Sequence, residues 1–171
     1  MIVISDTTPI RYLVEIEEID ILKTLFGRVI IPQKVFSELQ GEKTPPKVKM
    51  WIQHCPEWLE VKHADASVFT PQRKIQEGEQ EAISLAVEMK ADYLLIDDTD
   101  AIKEAHRIKL PTLRLFTILE LAAKKKLLDF PQTVEKMRRT SFHLPPADLI
   151  EEALERDRKL KEARPEKPDA S

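Results

Sequence analysis

Three short apolar runs constrain this chain most: Ile2-Val3-Ile4, Val29-Ile30-Ile31 and Tyr93-Leu94-Leu95-Ile96. Each is near-continuously apolar rather than alternating, the pattern of a strand covered on both faces of a parallel sheet. Stretches with helical apolar spacing lie between them. The plainest covers residues 79–89, where Ala82, Ile83, Leu85, Ala86 and Met89 make one stripe. This alternation predicts an α/β fold around a mainly parallel sheet. Strands are expected at residues 2–4, 29–32, 58–61, 93–96 and 113–115. Helices are expected over 10–26, ended by Gly27, and over 33–40, 79–89, 101–107 and 117–126, with a short one inside the Pro-bounded segment 43–56. After Pro145 large apolar residues become sparse and charges frequent. That segment predicts one amphipathic helix over 147–163, able to dock on the body, a sister subunit or a partner, and a frayed end at 164–171.

The chain has 171 residues, 42% hydrophobic and 33% charged, enough for one domain with a real core and not the composition of a disordered chain. Only three residues are Gly, and neither G-x-G-x-x-G nor G-x-x-x-x-G-K-[ST] occurs, so phosphate chemistry here needs side chains and metals rather than a glycine loop. A net charge of −3, from 27 basic against 30 acidic residues, excludes an obligate basic wrapper of nucleic acid. It leaves open an enzyme that acts on nucleic acid. Cys55 is the one cysteine and forms no internal disulfide, which fits a reducing compartment. Ser5-Asp6 follows the first apolar run at once, so that run reads as neither signal peptide nor membrane span, and a soluble, cytoplasmic protein is expected.

Acidic residues stand where the predicted elements end. Asp6 follows the first strand; Glu38 interrupts the apolar stretch Val35-Phe36-Ser37-Glu38-Leu39; Glu79 and Glu81 open the apolar helix; Asp97 and Asp98 follow the 93–96 strand. In an open parallel sheet these positions meet at one edge, where ligands bind. Packed carboxylates repel, and a divalent cation neutralises them. Oxygen-only ligands select Mg²⁺ or Mn²⁺ over Zn²⁺. Such a metal activates water and holds phosphodiester oxygens for in-line displacement. Each acid also has a plain structural role: Asp6 as turn former, Glu79 and Glu81 as first-turn acids favoured by the helix dipole, Asp97 and Asp98 as caps, with Asp100 the expected plain cap of the following helix. Glu38 is the hardest to explain structurally.

Other residues suggest less. His54, His63, His106 and His143 lack metal spacing, and Cys55 reads as inert. Trp51 and Trp58 read as packing, although aromatics also stack bases. Lys124, Lys125 and Lys126, with Lys136, Arg138 and Arg139, make either a solvated helix face or a basic strip facing RNA. An Asp-nucleophile phosphatase needs an acid where Thr8 stands, and a receiver domain needs an acidic pair at the first strand's end, where Asp6 is alone.

The run Val3-Ile4-Ser5-Asp6-Thr7-Thr8-Pro9-Ile10 resembles the opening of PIN-domain proteins, in particular the branch of predicted nucleic-acid-binding PIN proteins. Three further blocks resemble that branch in the same order: Ile30-Ile31-Pro32-Gln33-Lys34-Val35-Phe36-Ser37-Glu38-Leu39, the G-E-x-E-A-I-x-L-A helix at residues 78–86, and Ile96-Asp97-Asp98. The resemblance covers about residues 1–142 and implies a PIN-like three-layer sandwich over residues 1–144; the charged helical extension over 145–171 lies outside it. It also implies an Mg²⁺- or Mn²⁺-dependent endoribonuclease site. Asp6, Glu38, Glu81, Asp97 and Asp98 would be catalytic, and these with Glu79 would be metal ligands, the choice within each pair left open. Ser5 or Thr7 would orient the first Asp or its water. RNA would be the substrate. A homodimer is implied, and a toxin role of VapC type with an antitoxin partner. The chain departs from the branch where basic residues follow the I-D-D turn, having Thr99 and Ile102. A Gly-containing segment is replaced by Leu113-Arg114-Leu115-Phe116-Thr117. Those departures motivate a rival expectation, a non-catalytic module that keeps the fold and binds nucleic acid or protein.

Overall fold

The computed structural model describes residues 1–164 and divides into two compact units, one of residues 1–115 and one from Phe116 onward. The expectation of a frayed end over 164–171 lies, but for Arg164, outside the described residues. In the first unit the strands are β1 (Val3–Ser5), β2 (Val29–Pro32), β3 (Leu59–Lys62), β4 (Tyr93–Leu95) and β5 (Thr112–Leu113). The helices are α1 (Thr7–Glu15), α2 (Ile21–Phe26), α3 (Gln33–Glu38), α4 (Pro46–Gln53), α5 (Glu77–Glu88) and α6 (Thr99–Arg107). All strand pairs are parallel, in the order β3-β2-β1-β4-β5.

The apolar runs are the core of this sheet. Ile4, Ile30 and Leu94 stand in register on adjacent strands and share a buried cluster with Ala82, Ile83 and Ala86 of α5 and Ile102 and Ala105 of α6. Their chain neighbours Val3 and Leu95, also fully buried, point to the opposite face by the two-residue period of a strand. From β1 the chain moves outward through β2 to β3, and the α5 crossover then carries it back past β1 to β4. Right-handed crossovers put α1, α2 and α4 on one face and α5 and α6 on the other, the three expected layers, while the short α3 meets the start of α5.

Two expected elements shift for local reasons. The single helix foreseen over 10–26 is two, because Glu17 adopts a left-handed backbone (φ 63°) and the Glu18 N–H turns back to the Leu13 carbonyl at 2.9 Å. Gly27 does end α2, at φ 75°, where a side chain would be strained. The helix expected from Ala101 begins two residues earlier, with Asp98 as its cap: Asp98 Oδ1 accepts the Ala101 N–H at 2.9 Å. Asp100 is therefore a first-turn acid and not the cap.

In the second unit, α7 (Leu115–Lys124, starting at the boundary), α8 (Phe130–Arg138) and α9 (Ala147–Glu162) follow one another. No sequence expectation covered α8, although Asp129 caps it by accepting the Gln132 N–H at 2.9 Å and Pro131 sits in its first turn. The Phe116 and Phe130 rings meet edge to face, 5.7 Å between centroids. Arg156 bonds Glu120 at 2.8 Å. Among the described residues no helix is long and apolar enough to cross a membrane.

Candidate functional site

Strand direction gathers the acids. All five strands are parallel, so the carboxyl ends of β1, β2 and β4 lie at one edge of the sheet, and α5 starts there because it runs back against the strands. The first crossovers leave β1 toward β2, whereas the α5 crossover arrives on the other side at β4. The divergence falls between β1 and β4, the kind of crevice in which open α/β sheets bind ligands. Asp6 and Asp97 follow those two strands, and the Asp6 N–H extends the ladder to the Leu95 carbonyl at 2.9 Å.

Asp6 is 4% exposed. Burial pushes its carboxyl up to about 8, opposed by the Thr7 N–H bonded to it and reinforced by the negative charges of Glu79, Glu38 and Asp97. Those three carboxylates thus lie near enough to Asp6 to disfavour its charged form. Glu79 is also raised, first by burial and then by Asp98, Glu38 and Asp100, while the Gln76 N–H opposes the rise. Asp97 is raised to about 6 by burial; both its oxygens accept the Leu115 N–H, at 3.2 Å, and Arg114 nearby favours its charged form.

Glu38, the acid hardest to explain structurally, reaches the cluster from the last turn of α3. Its Oε2 accepts a 2.5 Å bond from Thr7 Oγ1 on α1. Its carboxylate also lies over Gly78: a Cβ there would stand 2.5 Å from Oε1 and 2.8 Å from Oε2. One of only three glycines is therefore spent on letting Glu38 approach α5, a signal the sequence carried and that went unread. The two hydroxyls foreseen beside Asp6 differ in role. Thr7 holds Glu38, and Ser5 Oγ bonds the Asp6 backbone carbonyl at 2.8 Å.

The paired acids separate. Glu79 accepts the Gln76 N–H at 2.9 Å, closing the first turn of α5, and stands near Asp6 and Asp98. Glu81, two residues on and so about 200° around the helix, accepts the Lys34 N–H at the start of α3, at 3.2 Å. Asp98 caps α6 while Asp97 joins the cluster around Asp6. The structure thus brings together Asp6, Glu38, Glu79 and Asp97, with Asp98 at their margin and Glu81 turned to α3.

This donor set is all oxygen, buried and self-repelling, which is the chemistry that suits Mg²⁺ or Mn²⁺. In the arrangement seen, no three His, Cys, Asp or Glu residues among those described stand close enough to hold a metal ion. Histidine and cysteine take no part. His106 Nε2 pairs with Thr112 Oγ1 at 2.9 Å, His54 Nδ1 with the Met50 carbonyl at 3.0 Å, and burial pushes the Cys55 thiol up, away from reactivity.

Comparison with known proteins gives three findings. A family model described as a PIN domain (DUF3368) matches residues 2–159, running past Pro145 into α9. A PilT N-terminus domain protein from the hyperthermophilic archaeon Sulfolobus solfataricus P2 is similar in structure, with 17% identity over 84% of this chain and 100% of that one, at a TM-score of 0.48. No curated protein matches.

Proposed function

The chain belongs to the PIN-domain family, whose fold is nuclease-like, and from that premise we propose that it is a metal-dependent endoribonuclease hydrolysing RNA phosphodiester bonds. The observation that carries this reading is Asp6, a buried carboxyl raised to about 8 with Glu38, Glu79 and Asp97 near enough to repel its charge, so that its ionised form needs a cation beside it. Asp6, Glu38, Glu79 and Asp97 would hold Mg²⁺ or Mn²⁺, with Asp98 and Glu81 supporting them from the adjoining helix starts. Bound there, the cation supplies charge neutralisation and a more acidic water. The chain's own residues do the positioning. Thr7 Oγ1 fixes the Glu38 carboxylate, the Leu115 N–H fixes Asp97, and the Gln76 N–H fixes Glu79. Three of the acids are thereby held by hydrogen bonds from different parts of the chain, and they would have to close from the spacing seen to share one ion.

The test is cleavage of single-stranded RNA with Mg²⁺ or Mn²⁺ by wild type and by Asp6→Asn. Wild type should cleave and the variant should not; equal cleavage by the two sinks the reading. A non-catalytic module that binds nucleic acid or protein is the second reading, favoured by the spacing of the acids, of which no three are within ligating reach of one point among the described residues. Failure to bind Mn²⁺ at millimolar levels would select it. The toxin role, the antitoxin partner and the homodimer implied by the family resemblance extend the first reading. Growth arrest on expression, relieved by a neighbouring gene, supports the toxin role, and no growth effect in either case counts against it.

A further inference from the structure

An acidic crevice that handles a polyanion needs a cation placed for the substrate, and the turn following β4 supplies none: it reads Asp97-Asp98-Thr99-Asp100. Two other cations near this edge are engaged. Lys34 Nζ pairs with Glu77 at 2.9 Å, and Arg73 Nη1 pairs with Glu104 at 3.2 Å. Arg114 differs. β5 pairs with β4 in the register Leu95↔Leu113, and the Ile96 N–H donates to the Leu113 carbonyl at 3.1 Å. Arg114 therefore leaves the sheet beside Ile96 and Asp97, at the carboxyl edge. The next residue, Leu115, gives its N–H to both Asp97 oxygens at 3.2 Å, which fixes the backbone that carries Arg114. The Arg114 side chain is exposed and has no hydrogen-bond or ion-pair partner among the described residues.

We infer that Arg114 is a positioning residue for the substrate, its guanidinium contacting a phosphate of single-stranded RNA next to Asp97. The inference rests on the endoribonuclease reading for its substrate class. A guanidinium presents a planar fork of donors that matches two phosphate oxygens, and a partner-free one gives up no existing ion pair to bind. The influence of Arg114 on the charge of Asp97 agrees with this closeness. A phosphodiester brought to Asp97 meets Arg114 on the β5 side of the crevice, in a part of the site where the β4 turn offers only negative charge.

The experiment measures binding of a labelled single-stranded RNA oligonucleotide in Ca²⁺ over about 50–200 mM salt, with Mn²⁺-dependent cleavage measured separately. Arg114→Gln should bind several-fold more weakly and flatten the slope of log K against log salt by about 0.7, one phosphate's worth for a single strand. Its cleavage should lose in KM more than in kcat. Arg114→Lys should recover the salt slope and part of the affinity. Lys109→Gln removes the same charge at the opposite edge of the sheet, before β5, and should bind as wild type does. Wild-type affinity and slope in Arg114→Gln, or an equal loss in Lys109→Gln, overturns the inference; so does a wild type that binds no RNA. If wild type binds RNA, Arg114→Gln does not and nothing is cleaved in Mn²⁺, the nuclease reading fails while the phosphate contact stands. Normal cleavage by wild type and Arg114→Gln alike removes only the role of Arg114. Thermal melts of each variant exclude misfolding as the cause.

Discussion

Gly78 shows at the scale of one residue how this site is built. Its missing Cβ is the space that the Glu38 carboxylate uses. In Gly78→Ala the carboxylate, at the end of a flexible chain, swings aside rather than forcing the backbone. Alanine also raises helix propensity by up to about 1 kcal/mol. We expect Gly78→Ala to melt at or above the wild-type temperature while RNA cleavage falls about 10²-fold, the scale of an ångström-sized misplacement. A large drop in melting temperature would mean that the glycine serves folding instead. Asp6 gives a second prediction. Its carboxyl, raised from 3.8 to about 8, keeps its proton longer in the folded chain than in the unfolded one. Stability attributable to Asp6 is complete below 3.8 and is lost as pH climbs through 8. In metal-free buffer, wild-type melting temperature should decline across that window, with Asp97 adding to the decline up to about 6. Asp6→Asn should flatten the curve and melt higher than wild type at pH 8. A wild-type profile as flat as the variant's would show that Asp6 is not buried as described.

At the scale of elements, α6 illustrates a buried charge serving architecture instead of chemistry. Glu104 is fully buried on α6. Its Oε2 accepts the Gln72 N–H and Arg107 Nη2, both at 2.8 Å, and its Oε1 accepts Arg73 Nη1 at 3.2 Å. Arg107 foremost, then the Gln72 N–H and Arg73, hold the Glu104 carboxyl down to about 2 against its burial. The clamp ties the loop ahead of α5 to α6 and so fixes where α5 and its Glu79 begin. Its contribution is present above pH 4.5 and is lost as pH falls through about 2. Glu104→Gln should lower the melting temperature at pH 7 by roughly 5 °C, a value reduced because both arginines are partly exposed. The gap to wild type should close on acidification from 4.5 toward 2; a gap that stays constant with pH would contradict the clamp. Element identity was largely legible in sequence, because apolar spacing reports it directly, and the strands at 2–4, 29–32 and 93–96 are found almost where their runs lie. Boundaries were less so. The break at Glu17 and the cap at Asp98 depend on which backbone amides find acceptors once the chain is folded.

For the whole molecule, charge distribution matters more than the net value of −3. Part of the acid excess is gathered around Asp6, and a bound divalent ion would reverse the local sign toward RNA. Mass action then predicts stabilisation by metal. At pH 8, Mn²⁺ at about 100 times its Kd adds about 2.7 kcal/mol, roughly 5–10 °C in melting temperature. Asp6→Asn should show little of this shift, and chelation should reverse it in wild type. A melting temperature indifferent to Mn²⁺ would favour the non-catalytic reading.

The sequence by itself determined the element types, the α/β class, the absence of a glycine phosphate loop and the set of acids from which a site could be drawn. These depend on local spacing and composition, and both act over a few residues. Tertiary structure alone decided which acids meet. The sheet order puts β1 between β2 and β4, which brings residues 6, 38, 79 and 97 to one place across ninety residues of chain. Helix geometry turns Glu79 toward Asp6 and Glu81 toward α3, although the two are near neighbours in sequence. Strand register sets Arg114, which the sequence shows only within the segment 113–117 that departs from the family pattern, beside Asp97. Convergence depends on strand order and on the face each helix presents, and both are properties of the packed chain, not of any window of it.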